Sequence, residues 1–353
     1  AASSAAAAGG PAPWAPPAAA PQACATTDAA LALRDGGGAD PSVGLRGGRL
    51  VLAWGDVREK FDLKSTTKSF GCIALGLAVK DGLVKLETRA RSLHPALGVP
   101  PEANARTDWL DRITILDLAS QTAGFEKPGG YTPLLFEPGT KWDYSDSGPN
   151  WLAECLTLAW KRDLDEVMFE RVFEPLGITR ADLSWRKNSY RPALIEGVAR
   201  REFGAGIHAC ADAMARIGLL MLREGRWKER EILSRDFVRQ ASRVPAGHEA
   251  LELLHPETYG RASRHYGLLW WNNADGTLQD VPRDAYWSWG LYDSLIVVMP
   301  SLGIVTARAG KSWKRAAGAD HYNALKPFLG PLARAHRAPR EGQRQLAARV
   351  GRR

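Results

Sequence analysis

From Ser69 to Val79 the chain runs S-F-G-C-I-A-L-G-L-A-V, eleven residues without a charge, and it stops at Lys80-Asp81-Gly82. Such a segment is too short for a bilayer, and being apolar on nearly every face it cannot lie on a surface. It therefore predicts a helix sunk in a globular core, with Gly82 ending it. The rest of the chain must wrap that helix on all sides. Its 353 residues exceed one typical domain and suffice for a single enzyme-sized unit with two lobes. With 45% hydrophobic and 24% charged residues the composition is that of an ordinary globular protein, and no run has the roughly 18 to 20 apolar residues of a membrane span.

The order of signals along the chain gives the architecture. Val43 to Trp54 alternates around Gly47-Gly48, which predicts a hairpin. Segments 113–120, 147–161, 163–174 and 210–224 carry apolar residues at helical spacing, separated by Pro/Gly breaks. Strand signals return at His265–Trp271, Leu295–Met299 and Ile304–Arg308, the last two joined by Pro300-Ser301-Leu302-Gly303. Strands, a helical block and strands again predict an α/β (α+β) fold, a mostly antiparallel sheet flanked by helices and paired across a helical insertion. The sheet lobe takes about residues 31–63 and 256–335, and the helical lobe about 64–255.

The ends stand apart from this unit. Residues 1–30 form an Ala/Pro-rich leader with eleven alanines and four prolines in the first twenty, too poor in large apolar groups to build a core. Seven arginines but only Glu341 lie in residues 331–353, so most of the net charge of +8 belongs to a basic tail at 336–353. A terminal tail of this kind is a solvated end and not a nucleic-acid surface. Cys24, Cys72, Cys155 and Cys210 include no C-x-x-C pair, which removes zinc-ribbon and thioredoxin-like readings and leaves them as small core residues.

Ser65-Thr66-Thr67-Lys68 sits where the apolar helix begins. Residues i and i+3 share a helix face, so the Lys68 amine can reach the Ser65 hydroxyl. The positive end of the helix dipole and burial would both favour a neutral amine able to act as base, and the same dipole would favour an oxyanion beside the Ser65 amide. The bland alternative is a helix cap beside a solvated lysine. A polar pair on an otherwise apolar helix weighs against it, whereas Ser184-Trp185-Arg186-Lys187, with the same spacing, opens no such helix. Tyr144-Ser145-Asp146 directly precedes another helix, which Asp146 or Ser147 could cap. Capping leaves Tyr144 unexplained, and a phenol near a lysine can carry a proton between nucleophile and leaving group. In Tyr286-Trp287-Ser288-Trp289-Gly290, the glycine would allow a substrate close to the strand, and the Leu291 amide could complete an oxyanion hole with that of Ser65. Aromatic packing on a sheet is the competing account. The chain has no G-x-S-x-G and no H-E-x-x-H, and Val305 stands where a phosphate loop ending at Gly310-Lys311-Ser312 would need glycine.

Together these residues resemble the serine β-lactamase and penicillin-binding-protein-like hydrolases, nearest the group of class C β-lactamases, DD-peptidases and related esterases. The resemblance spans about residues 42–330. Besides S-T-T-K, Y-S-D and Trp289-Gly290, it includes R-I-T-I-L-D-L-A-S-Q-T-A-G at 112–124, F-E-P-G-T-K-W-D-Y-S-D at 136–146 and G-A-G-I-H-A-C-A-D-A-M-A-R at 204–216. It implies the β-lactamase/transpeptidase-like fold and an acyl-enzyme on Ser65, with Lys68 as base partner, Tyr144 as general acid/base and the amides of Ser65 and Leu291 as oxyanion donors. It implies no metal or cofactor, a small ester, amide or peptide substrate, and an exported, periplasmic or extracellular location. Two departures matter. Asp146 stands where Asn is usual and adds an acceptor where a donor is wanted, and Ser288-Trp289-Gly290 replaces Lys-Thr-Gly and its cation. Both favour an esterase or amidase over a β-lactamase or D-Ala-D-Ala carboxypeptidase, with Trp270, Trp271, Trp287 and Trp289 walling an apolar pocket. An inactive homologue that binds a ligand or cell-wall fragment is the alternative of another class.

Overall fold

The computed structural model describes residues 40–312, 322 and 324–337; the Ala/Pro-rich leader, Cys24 and residues 338–353 lie outside the described residues. The apolar segment is helix α1 (Thr67–Lys80), buried from Thr67 to Ala78. Its glycines let neighbours press onto it: a Cβ at Gly71 would lie 2.5 Å from the Phe203 ring, and one at Gly76 would lie 2.6 Å from Phe237. Helix α3 (Ser147–Trp160) packs against it, α2 (Ile115–Ser120) packs on α3, and α4 (Ala211–Leu222) lies on the main sheet. Helix α2 opens on a capping box in which Thr114 and Asp117 exchange side-chain and backbone hydrogen bonds.

The expected hairpin is β1 (Ser42–Arg46) and β2 (Arg49–Trp54), turning through Gly47 and Gly48, both at positive φ. A small sheet holds β3 (Lys60–Asp62), β4 (Leu183–Trp185) and β5 (Ile207–Cys210), with β5 in the middle. The main sheet adds β6 (Trp271–Asn272), β7 (Tyr286–Gly290), β8 (Ser294–Met299) and β9 (Ile304–Arg308) in the order β6-β7-β8-β9-β1-β2, antiparallel throughout. β1 pairs with β9, so the two ends of the unit close across the helical block, as the order of elements requires.

Period-two alternation splits the core into two layers. Leu295, Val297 and Met299 of β8 pack with Trp287, Trp289 and the C-terminal helix α5 (Lys326–Arg337), while Ile296 and Val298 face α4 and the helical block. The segment His265–Trp271 departs from expectation: only Trp271 joins a strand. Upstream of it the Leu268 and Leu269 amides bond to the Ala241 and Ala119 carbonyls at 2.9 Å, tying sheet to helical block. No helix among the described residues is long and apolar enough to cross a membrane.

Candidate active site

Ser65 occupies a 3-10 turn, Lys64–Thr66, that runs directly into α1. The turn is pinned to the main sheet, because Thr66 Oγ1 donates to the Ser294 carbonyl at 2.7 Å and meets Ser288 Oγ at 3.2 Å. Gly290 explains how close the two come. A Cβ there would sit 2.1 Å from the Leu63 carbonyl oxygen and 3.1 Å from the Thr66 nitrogen. The space expected for a substrate is taken by the turn that carries Ser65, and this packing sets the turn Leu291–Asp293 against it.

Lys68 is fully enclosed, its side chain 1% exposed. An ammonium has three donors, and Nζ has three acceptors: Ser65 Oγ at 3.1 Å, the Gly204 carbonyl at 3.2 Å and Asp146 Oδ1 in a short ion pair. Asp146 is the counter-ion that the sequence reading did not assign to Lys68. It stands at the N-cap of α3 but makes no side-chain cap; the first-turn Gly148 amide donates instead to Ser145 Oγ at 3.0 Å. Gly204 is held in place by Asn150, one turn along α3 from Asp146. Asn150 Oδ1 accepts from the Phe203 and Gly204 amides at 2.9 and 2.8 Å.

Tyr144 lies against the same lysine, with Lys68 Nζ 4.7 Å from its ring centroid. Gln121 fixes the Tyr144-Ser145-Asp146 backbone by accepting from the Ser145 amide at 2.9 Å and donating to its carbonyl at 3.2 Å. The ring stacks on Trp271 at 5.7 Å and tilts against Tyr259 at 5.6 Å. This burial holds the phenol pKa well above the ordinary tyrosine value. The Asp146 carboxylate adds to the rise, and an interaction with the Ser65 hydroxyl opposes it. At neutral pH Tyr144 is a phenol, ready to donate a proton. A second cation, Lys127, stands 5.2 Å from the same ring centroid and donates to Tyr259 Oη at 3.4 Å.

Beneath the site lies a second carboxyl. Glu202, its side chain fully buried, pairs with Arg186, and burial pushes it up to about 7, with Arg186 acting in the opposite direction and Asp146 and Asp62 adding to the rise. The network under α3 is ionic: Glu154 takes Arg191 at 2.7 Å and His94 at 3.0 Å, and Arg191 and Glu154 are both wholly enclosed.

The structure thus gathers Ser65, Lys68, Tyr144 and Asp146, with Gly290 and Leu291 alongside. It does not bring Ser288 or Trp287 into the cleft. Ser288 Oγ accepts from the Ile296 amide at 2.8 Å and is spent joining β7, β8 and the Ser65 turn. Trp287, on the opposite face of β7, packs towards Tyr322 in the second core layer, and Trp270 lies edge-on to Tyr286 in the first. Trp271 backs Tyr144, with Trp289 edge-on to it and donating to Asp293 Oδ1 at 3.0 Å. Ser184 is an exposed strand residue, away from any helix start. Gln121, Lys127, Asn150, Glu202 and the Gly204 carbonyl had no signal of their own in the sequence; Gln121 and Gly204 lie in segments that carried the family resemblance, but as bare pattern. Cys72, Cys155 and Cys210 are free and buried. No group of three or more His, Cys, Asp or Glu among the described residues could hold a metal.

A family model described as beta-lactamase matches residues 35–326. Solved structures share the fold. A β-lactamase from Mycobacterium bovis is 20% identical, with a TM-score of 0.65 over 87% of this chain and 99% of its own. Simvastatin synthase from Aspergillus terreus is 15% identical at a TM-score of 0.65, over 87% and 96%. EstCE1, a hydrolase with promiscuous acyltransferase activity, is 18% identical at 0.62, over 88% and 97%. No curated protein sequence matches the chain.

Proposed function

The chain belongs to the beta-lactamase family, and from that premise we propose that it is a serine hydrolase cleaving neutral esters or amides through an acyl-enzyme on Ser65. The observation that carries this reading is the 3.1 Å approach of the enclosed Lys68 amine to the Ser65 hydroxyl at the start of a buried helix, with the Tyr144 phenol against both. Ser65 Oγ and Asp146 Oδ1 both bond to the Lys68 amine, which can relay a proton from one to the other. Lys68 passes a proton to Asp146 and takes one from Ser65 as Oγ bonds to the acyl carbon. The Ser65 and Leu291 amides receive the oxyanion, and when it collapses Tyr144 gives its proton to the departing oxygen or nitrogen. Water then attacks the acyl group while losing a proton to the Tyr144 phenolate. Ser65 recovers its proton from Lys68, and Lys68 recovers its own from Asp146.

Substrate preference follows from charge. Ser288 stands where a lysine would meet a substrate carboxylate, and Asp146 is committed to Lys68. Trp271 and Trp289 supply an aromatic wall on that side. A neutral, apolar acyl or alcohol group suits such a site, and the esterase- and acyltransferase-type neighbours are in keeping with it. The test is mass spectrometry after a fluorophosphonate, with turnover of a short-chain nitrophenyl ester, a chromogenic cephalosporin and a D-Ala-D-Ala peptide. An adduct on Ser65, absent in Ser65→Ala, with ester cleavage well above cephalosporin cleavage, is expected. Absence of an adduct with any acylating probe would favour a binding protein, and efficient cephalosporin turnover would overturn the ester preference.

A further inference from the structure

The mechanism leaves negative charge on Tyr144 in an aromatic cluster, and the cation nearest to hand in that mechanism, Lys68, rests in an ion pair with Asp146. Lys127 is not matched in this way: it makes no ion pair among the described residues, yet its Nζ is held 5.2 Å from the Tyr144 ring centroid and 3.4 Å from Tyr259 Oη. Its backbone is fixed there by the motif it serves. The Asp146 amide donates to the Lys127 carbonyl at 2.8 Å, and Ser145 Oγ donates to the neighbouring Glu126 carbonyl at 3.0 Å. The charged and titratable groups facing Tyr144 are therefore Lys68 and Asp146 as a pair, Lys127, and the phenols of Tyr259 and Tyr266, with Asp143 one residue away and bonded to His255 at 3.0 Å.

We propose that Lys127 acts through Tyr144 as a positioning residue, stabilising the negative charge that forms on the phenol as it protonates the leaving group. An ammonium over an aromatic face is attracted to a neutral ring, and more strongly to one becoming a phenolate, so its effect is larger in the transition state than in the resting enzyme. Lys127 thus adds, from a different part of the chain, a second cation at the Tyr144 ring. The proposal rests on the serine hydrolase reading above.

Leaving-group dependence tests it. The ethyl and 4-nitrophenyl esters of one acyl chain share deacylation, and kcat/KM reports acylation alone. Ethoxide needs a proton to depart; 4-nitrophenolate does not. Lys127→Met is expected to lose about 3- to 30-fold in kcat/KM on the ethyl ester and less than about twofold on the nitrophenyl ester, the range reflecting a cation–π contact between exposed and dry. Tyr144→Phe should show the same selectivity with a larger loss, and Lys127→Arg should restore most of the activity. Equal losses on both esters, or none, would overturn the proposal. So would a loss confined to esters that carry a carboxylate, which would make Lys127 a substrate anchor. Failure of the hydrolase reading shows separately, as wild-type protein whose Ser65 takes no fluorophosphonate.

Discussion

Gly290→Ala probes the contact on which the proposed active site is built, that between the main sheet and the Ser65 turn. The added Cβ would lie 2.1 Å from the Leu63 carbonyl oxygen, a backbone atom with no rotamer to escape into. Carbon and oxygen in ordinary contact stand more than about 3 Å apart, so strand β7 or the turn must yield by roughly 1 Å. The Leu291 amide moves with the strand. A displacement of about 1 Å at a reacting centre costs roughly 100-fold, and loss of one oxyanion donor costs about 100- to 1000-fold. We therefore expect kcat/KM on a nitrophenyl ester to fall about 100-fold, equivalent to about 2.7 kcal/mol of transition-state stabilisation. Overpacking should also cost about 1–3 kcal/mol of stability, seen as a fall of several degrees in Tm. Fluorophosphonate labelling rates on the folded fraction separate the two effects. Gly148→Ala is the control, since a Cβ there meets nothing closer than 3.8 Å. If Gly290→Ala keeps activity within about threefold and Tm within a degree, the strand does not position an oxyanion donor and the proposed site geometry fails.

Two further substitutions test the ionic layers under the site. Glu154→Gln leaves the enclosed Arg191 without its anion, and about 3–5 kcal/mol of stability should be lost in chemical denaturation, with activity per folded molecule unchanged. Retention of full stability would show that Arg191 finds enough acceptors in the Gly130 and Ser147 carbonyls. Glu202 titrates at about 7 in the folded protein, above the 4.5 of a free glutamate. The folded state thus holds a proton that the unfolded chain has lost, and stability associated with Glu202 is full below about 4.5 and falls as pH rises through 7. Glu202→Gln should flatten that decline and leave the variant more stable than wild type at pH 8 by up to about 3 kcal/mol, read from Tm between pH 5 and 8. Parallel curves for the two proteins would place the Glu202 titration elsewhere.

What was legible in the sequence followed local rules. An all-apolar run has nowhere to go except the core, and Gly47-Gly48 between alternating residues can only turn back, so α1 and the first hairpin could be read directly. That the two ends of the unit would pair in one sheet followed because strand signals flank a helical insertion, and β1 does pair with β9. Ser65 and Lys68 were legible for the same reason, being one turn apart on a helix. Long-range pairings were not. Asp146 fits a cap by local spacing, and its true partner lies 78 positions away. Ser288 sits in a motif position, but its hydroxyl is claimed by the Ile296 amide and Thr66 across the sheet, contacts that no spacing encodes. The aromatic run before Trp271 has strand composition, yet its amides are taken by carbonyls of the helical block.

The position of Asp146 bears on how this site differs from a β-lactamase-like one. With Asn at 146, Lys68 would bring one positive charge into the cleft, and with lysine at 288 a second would follow. Here Asp146 cancels the first and Ser288 omits the second. What remains around Ser65 is an almost neutral pocket, with the exposed Lys127 beside the Tyr144 ring. An anionic substrate entering it would give up hydration and recover few charge-assisted hydrogen bonds, whereas a neutral ester loses little. Restoring both charges should reverse that balance: Asp146→Asn with Ser288→Lys is expected to gain affinity for carboxylate-bearing substrates. It should do so at a cost in stability, because the new lysine displaces the Ser288 hydroxyl that accepts from the Ile296 amide at 2.8 Å and leaves a buried donor unpaired. Steady-state kinetics on matched neutral and carboxylate-bearing esters, with Tm measured in parallel, decide the matter. A double variant whose preference stays with the neutral ester would mean that pocket shape, and not charge, sets specificity.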